Sequence, residues 1–128
     1  MEPKNDEITA RIGIFSGRPN PQLSFAGKVV EEFAKLVKLS IGKETIHPPP
    51  PPRLGFYYGF RIRIPTALAE RLALSRELNI YSGVITEKKG REEKHWRDTS
   101  KVEDFLIRKA YEQDFGEWLQ KVGVQKSD

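Results

Sequence analysis

Residues 8–15 place Ile8, Ala10, Ile12 and Ile14 at every second position, with Thr9, Arg11 and Gly13 between them. That period belongs to a strand with one face in a core and the other toward water. A Gly17-Arg18-Pro19-Asn20-Pro21 stretch ends the pattern. Its two prolines lack backbone donors and its glycine tolerates a positive φ, so the chain is expected to turn here. Residues 22–25 then predict a short returning strand. Over residues 27–40 the period changes. Val29, Val30, Phe33, Leu36 and Val37 form one helical stripe, while Lys28, Glu31, Glu32, Lys35 and Lys38 face away. Glu31 and Lys35 are spaced for an i,i+4 ion pair.

Strand periodicity returns over residues 54–64. Phe56, Tyr58, Phe60, Ile62 and Ile64 are expected on one face, with Tyr57, Gly59, Arg61 and Arg63 on the other. Pro65 stops the run. Residues 66–78 suit an amphipathic helix through Leu68, Ala69, Leu72 and Ala73. Residues 79–86 return to strand composition, Lys89-Gly90 is a turn signal, and residues 92–97 read as a charged edge strand. Ser100-Lys101-Val102-Glu103 matches a capping box that opens a last helix. Gly116 is expected to interrupt that helix before Trp118, Leu119 and Val122, and the two tryptophans, Trp96 and Trp118, are expected as core or interface anchors. The order β-β-α-β-α-β-β-α predicts an α+β fold. Its small, mainly antiparallel sheet has about four or five strands covered by two or three helices.

Length fits this picture: 128 residues suit one domain spanning residues 1–128, with residues 41–53 as a proline-rich linker or surface loop within it. A hydrophobic content of 38%, with seven Phe, is enough for a real core and excludes a disordered chain. The absence of cysteine excludes disulfides and thiol catalysis. No apolar run approaches the roughly 18 residues of a membrane-spanning helix. Residues 1–7 are polar and acidic, unlike a signal peptide, so a cytoplasmic protein that does not engage a membrane is expected. The net charge is +4, and most of the excess lies in residues 41–64, where Lys43, Arg53, Arg61 and Arg63 face a single acid, Glu44.

Arg18 and Asn20 are the first candidates for ligand binding. A stiff turn that presents a guanidinium and an amide loses little entropy on clamping a phosphate or carboxylate. The same residues serve equally well to close their own hairpin tip. The string Phe15-Ser16-Gly17-Arg18-Pro19-Asn20-Pro21 resembles a motif in a family of small proteins without known activity, in which it ends an N-terminal strand. Gly55-Phe56-Tyr57-Tyr58-Gly59-Phe60 is similar to a later Gly-aromatic-x-Gly-Phe strand of that family, and Asp98 to its closing Asp. The resemblance implies no function.

A second candidate is the polar face of the central strand. Tyr57, Arg61 and Arg63, joined by Arg11 if the strands of residues 8–15 and 54–64 pair, offer the stacking plate and cations that hold single-stranded nucleic acid. They do not reproduce the aromatic spacing of RNA-recognition domains. Five consecutive prolines at 48–52 are either a docking motif for an SH3- or WW-like protein or a plain spacer. For catalysis only His95 and Asp98 stand near each other, as an acid–base pair or as parts of a hairpin end and a helix cap. His47 and His95 lack metal-ligand spacing, and neither a metal nor a cofactor is expected. The expected function is a non-catalytic binding or interaction module that presents an Arg-containing loop to a protein partner or an anionic ligand. The alternatives are a small enzyme with a cleft near Arg18 and a single-stranded nucleic-acid binder.

Overall fold

The computed structural model describes residues 6–14, 20–51, 57–121 and 123–124. Within them the elements run β1 (Ile8–Ile14), β2 (Gln22–Phe25), α1 (Lys28–Ser40), β3 (Tyr57–Arg63), α2 (Thr66–Leu72), β4 (Glu77–Tyr81), β5 (Val84–Lys89), β6 (Glu92–Arg97), α3 (Val102–Glu112) and α4 (Gly116–Lys121). The strands form one sheet in the order β2-β1-β3-β4-β5-β6, with every neighbouring pair antiparallel.

The expected α+β class and antiparallel pairing hold, but six strands and four helices replace the smaller numbers read from the sequence. The extra strand comes from residues 79–86, which are not one strand. Ser82 and Gly83 take φ of 55° and 76°, and two left-handed residues in succession make the tight turn whose twist suits a hairpin. The helix expected over residues 66–78 is also shorter. It stops at Leu72 because Ala73 adopts a left-handed conformation and its N–H turns back to the carbonyls of Ala69 and Glu70.

One face of the sheet carries the core. Ile8, Ala10 and Ile12 of β1, Leu23 and Phe25 of β2, Phe60 and Ile62 of β3, Leu78 and Ile80 of β4, and Ile85 of β5 are buried there. Phe33 on α1 stacks near Phe25 and Phe105 on α3, with ring centroids 5.7 and 6.4 Å apart. Leu68 and Leu72 of α2 and Leu119 of α4 complete the same apolar cluster. Trp96 and Trp118 are half-buried against it. Glu31, expected to pair with Lys35, instead meets Arg71 of α2 at 2.8 Å. Both groups are exposed, so the exchange matters little to stability. No helix among the described residues is long and apolar enough to cross a membrane.

The start of α3 differs from the expected capping box. Asp98 supplies the cap: its two carboxylate oxygens accept from the N–H groups of Val102 and Glu103 at 2.8 and 3.0 Å. Ser100 is drawn elsewhere, donating to the Leu36 carbonyl at 2.5 Å and sharing a hydrogen bond with Ser40 at 2.8 Å. Buried Ser40 also accepts from the N–H groups of Thr99 and Ser100, which ties the end of α1 to the loop before α3. Replacing Asp98 with alanine leaves two helix amides without acceptors and is expected to cost about 1–2 kcal/mol, measured by urea unfolding.

After α1 the chain rounds the far edge of the sheet. Glu44 accepts from the Arg97 N–H at 2.8 Å and Ile46 donates to the His95 carbonyl at 3.1 Å, so residues 44–46 continue the sheet beyond β6. This pairing covers part of an edge that would otherwise present bare backbone groups. Residues 48–51 then lie across the face of the sheet opposite the core.

Candidate functional site

The sheet face opposite the core is polar, and its register orders the side chains in rows. Gln22, Arg11, Arg61, Asn79, Thr86 and His95 are successive cross-strand partners over all six strands. The next row runs Ser24, Thr9, Arg63, Glu77, Lys88 and Glu93. In that second row Arg63, Glu77, Lys88 and Glu93 alternate in sign, which is the favourable cross-strand arrangement. The first row sets Arg11 directly opposite Arg61 and contains no carboxylate. Like charges facing each other across strands are unfavourable. Arg11 donates to the Gln22 side chain at 3.3 Å, and neither arginine makes an ion pair among the described residues.

A β-bulge decides which tyrosine joins this face. Ile12 pairs with Phe60 and Ile14 with Tyr57, so Tyr58 and Gly59 together face Gly13 alone. Gly59 takes φ of +96°. The extra residue reverses the alternation assumed for residues 54–64. Tyr58 lies over Gly13, so close that a Cβ there would stand 2.6 Å from the ring. Tyr57 moves to the core side, where its ring packs edge-on against Phe60 at 6.1 Å. The aromatic plate expected from Tyr57 is therefore supplied by Tyr58.

Over this face residues 48–51 form a roof. Between the prolines and the sheet lies a groove of about 300 Å³, walled by Tyr58, Arg61, Tyr81 and His95, floored by Asn79 and Thr86, and bordered at its β5–β6 end by Lys88 and Glu93. Thr86 is buried although it stands on the polar face. Its hydroxyl shares a 3.0 Å hydrogen bond with His95 Nδ1, while His95 Nε2 stands 4.0 Å from Glu93. The chain matches no known protein family, no curated protein and no solved structure. The groove must be judged by its own chemistry.

The other sequence candidates fall in different places. Arg18, with residues 15–19, and Pro52 lie outside the described residues. Asn20 is half-buried, and its Oδ1 has no hydrogen-bond partner among the described residues. Arg63 stands one row from Arg61 on the same face. His95 and Asp98 do not act on each other: the first bonds Thr86 and lines the groove, while both oxygens of the second hold the start of α3. Tyr81, Asn79 and Thr86 carried no signal in the sequence, because only strand order and register bring them to Arg61. Tyr58 did carry one, since a glycine inside a strand pattern marks a bulge.

Tyr57 has a different partner. Its hydroxyl donates to Glu103 of α3 at 2.5 Å. Burial holds the Glu103 carboxyl above the ordinary carboxylate range, against the lowering effect of hydrogen bonds from Tyr57 and from the backbone of Gly83 and Ser82. Burial, then the charge of Glu103, pushes the Tyr57 hydroxyl far above its usual value. The pair therefore reads as a structural contact between β3 and α3.

A larger depression, of about 410 Å³, lies between α2 and β5. Its one buried charge, Glu87, accepts from the Ser75 hydroxyl at 2.8 Å and from Trp96 Nε1 at 3.2 Å, with Lys89 at 3.8 Å. These partners satisfy the carboxylate. In the groove under the prolines, Arg61 makes no ion pair among the described residues and Tyr58 and Tyr81 are aromatic walls, with Glu93 at the far end.

Proposed function

We propose that the protein is a non-catalytic binding module that holds an anionic ligand on Arg61, which lines the groove between residues 48–51 and the sheet, and on Arg11, its neighbour on β1 outside that groove. The observation that carries this reading is the facing pair Arg11 and Arg61, unrelieved by any carboxylate in its row. An anion placed between the two guanidiniums removes their mutual repulsion and gains charge-assisted hydrogen bonds. Gln22 on one side and Asn79 on the other add neutral polar partners. The groove joins proline and tyrosine surface to polar groups from Arg61, Asn79, Thr86 and His95, a combination small-ligand sites use. The commitment of Asp98 to the α3 amides favours binding over acid–base catalysis.

Calorimetric titration with inorganic pyrophosphate at low salt tests the reading. Arg61→Ala and Arg11→Ala are each expected to weaken binding about tenfold, as loss of one charged hydrogen bond implies. Added salt should weaken it in the unaltered chain, because these side chains are exposed and screened. Equal affinity in the unaltered chain and both variants overturns the assignment.

A further inference from the structure

We infer that the ligand is a nucleotide, bound with its phosphate on Arg61 and the neighbouring Arg11 at the side of the groove toward β1, and its base in the groove between Tyr58 and the prolines of residues 48–51. The inference rests on the anion reading above and adds what the anion is attached to. Phosphate or carboxylate alone explains the two arginines. It does not explain why Arg61 opens onto a groove between an aromatic ring and a row of pyrrolidine rings.

The spacing suits a base joined to a phosphate through a sugar. Tyr58 and Arg61 lie on the same face of β3, three residues apart, but the bulge sets Tyr58 with Gly59 opposite Gly13, one alternation along β1 from the Arg11 that faces Arg61. Positions one alternation apart on a strand are about 7 Å apart, twice the rise per residue. That is the span of a ribose between phosphate and base. Tyr58 is fixed in place because its ring is seated on Gly13, whose missing side chain leaves the room. A ring so held offers a flat plate without losing further freedom on binding. Prolines 48–51 face it without regular secondary structure and line the other wall. The Pro49 ring is the half-buried one of the four.

The floor supplies what an apolar slot lacks. Asn79 offers both a donor and an acceptor, and Thr86 with His95 offers a second polar edge. Both lie in the row of Arg61, so a base entering over Tyr58 brings its polar edge toward them. Stacking of a base on an aromatic plate tolerates all bases. A plain anion or an aliphatic acid would use the arginines and leave the tyrosine and the amide idle.

Free nucleotide and the terminal unit of a single strand share this chemistry, and the experiment separates them. The full chain is titrated with ribose 5-phosphate, with adenosine and uridine 5′-monophosphates, and with an eight-residue oligouridylate. Nucleoside monophosphates are expected to bind at least about tenfold more tightly than ribose 5-phosphate, as one stacked base implies. Tyr58→Leu should abolish that difference, while Tyr58→Phe keeps it. Arg61→Ala should weaken all of them. Oligomer binding more than about tenfold tighter than the monophosphate assigns the strand, and equal binding assigns the free nucleotide. Ribose 5-phosphate binding as tightly as the nucleotides overturns the inference and leaves the anion site standing. Failure of every probe, pyrophosphate included, overturns both.

Discussion

Gly59→Ala should destabilise the fold by about 3 kcal/mol or more, seen as a large fall in the urea midpoint. Two effects act together. The residue takes φ of +96°, where a side chain is strained. A Cβ there would also stand 2.2 Å from the Ile80 carbonyl oxygen and 2.5 Å from the Tyr81 Cβ. The obstacle is backbone of the neighbouring strand, which cannot rotate away. Relief requires β3 and β4 to part or the bulge to close, and closing it slips the alternation of every residue before Phe60. Gly83→Ala is the control. Gly83 also has a positive φ, of 76°, but its absent side chain points into open space. It should cost only about 1 kcal/mol, the conformational part alone. Equal losses for the two variants would mean that the close approach of β4 is not what requires glycine at position 59. A Gly59→Ala chain that still folds should also lose its preference for nucleotides over ribose 5-phosphate, because the bulge is what turns Tyr58 onto the groove.

That one bulge also marks how far the sequence could be read. Hydrophobic alternation located β1 and the core side of β3, because Ile8, Ala10, Ile12, Phe60 and Ile62 keep a strict period of two where a single face is buried, while β2 and β6 were legible from the turn signals before them. It misplaced Tyr57 and Tyr58 because Phe56, Tyr57 and Tyr58 are all apolar enough to occupy either face, and the pattern gives no preference among them. The same reason hid the β4–β5 turn. Ser82-Gly83 is a turn dipeptide, but Ile80, Tyr81, Val84 and Ile85 on either side keep strand composition, and the left-handed backbone of both residues shows the reversal. Helix ends were lost to competition for hydrogen bonds. Ser100 satisfied the capping rule on paper, but Leu36 and Ser40, more than fifty residues away in sequence, are the partners it took. Arg61 and Arg63 were legible as cations on a polar face. What distinguishes them was not, since Arg63 faces Glu77 and Arg61 faces Arg11, and register alone sets those neighbours. The part played by the prolines was likewise out of reach. Composition predicts a stiff segment, while the turn around β6 that lays it over Tyr58 depends on the pairing of residues 44–46.

Tyr57→Phe should cost about 2 kcal/mol at neutral pH, the scale of a hydrogen bond to a charged group in a half-buried place. The ring and its contacts with Phe60 and Tyr81 remain, so the loss belongs to the hydroxyl. Glu103 then keeps only its backbone donors, of which Gly83 stands at 3.4 Å. The dependence on pH identifies the partner. The Glu103 carboxyl is held above 4.5 chiefly by burial. The folded chain therefore holds that proton more tightly than the unfolded chain. Its contribution to stability is complete below the ordinary carboxylate value and is lost as pH rises through the folded one. Removing the Tyr57 donor removes a contact that lowers this value, so the fall in stability above pH 4.5 should steepen in Tyr57→Phe. Glu103→Gln should flatten it, because the amide does not titrate in this range and still accepts from Tyr57. In the Glu103→Gln background, Tyr57→Phe should cost only about 1 kcal/mol, as for a bond between neutral groups. Parallel stability curves for Tyr57→Phe and the unaltered chain across this range would remove Glu103 as the partner that matters. The steepened curve expected here makes Tyr57 the link by which β3, one residue from the groove, is fastened to α3.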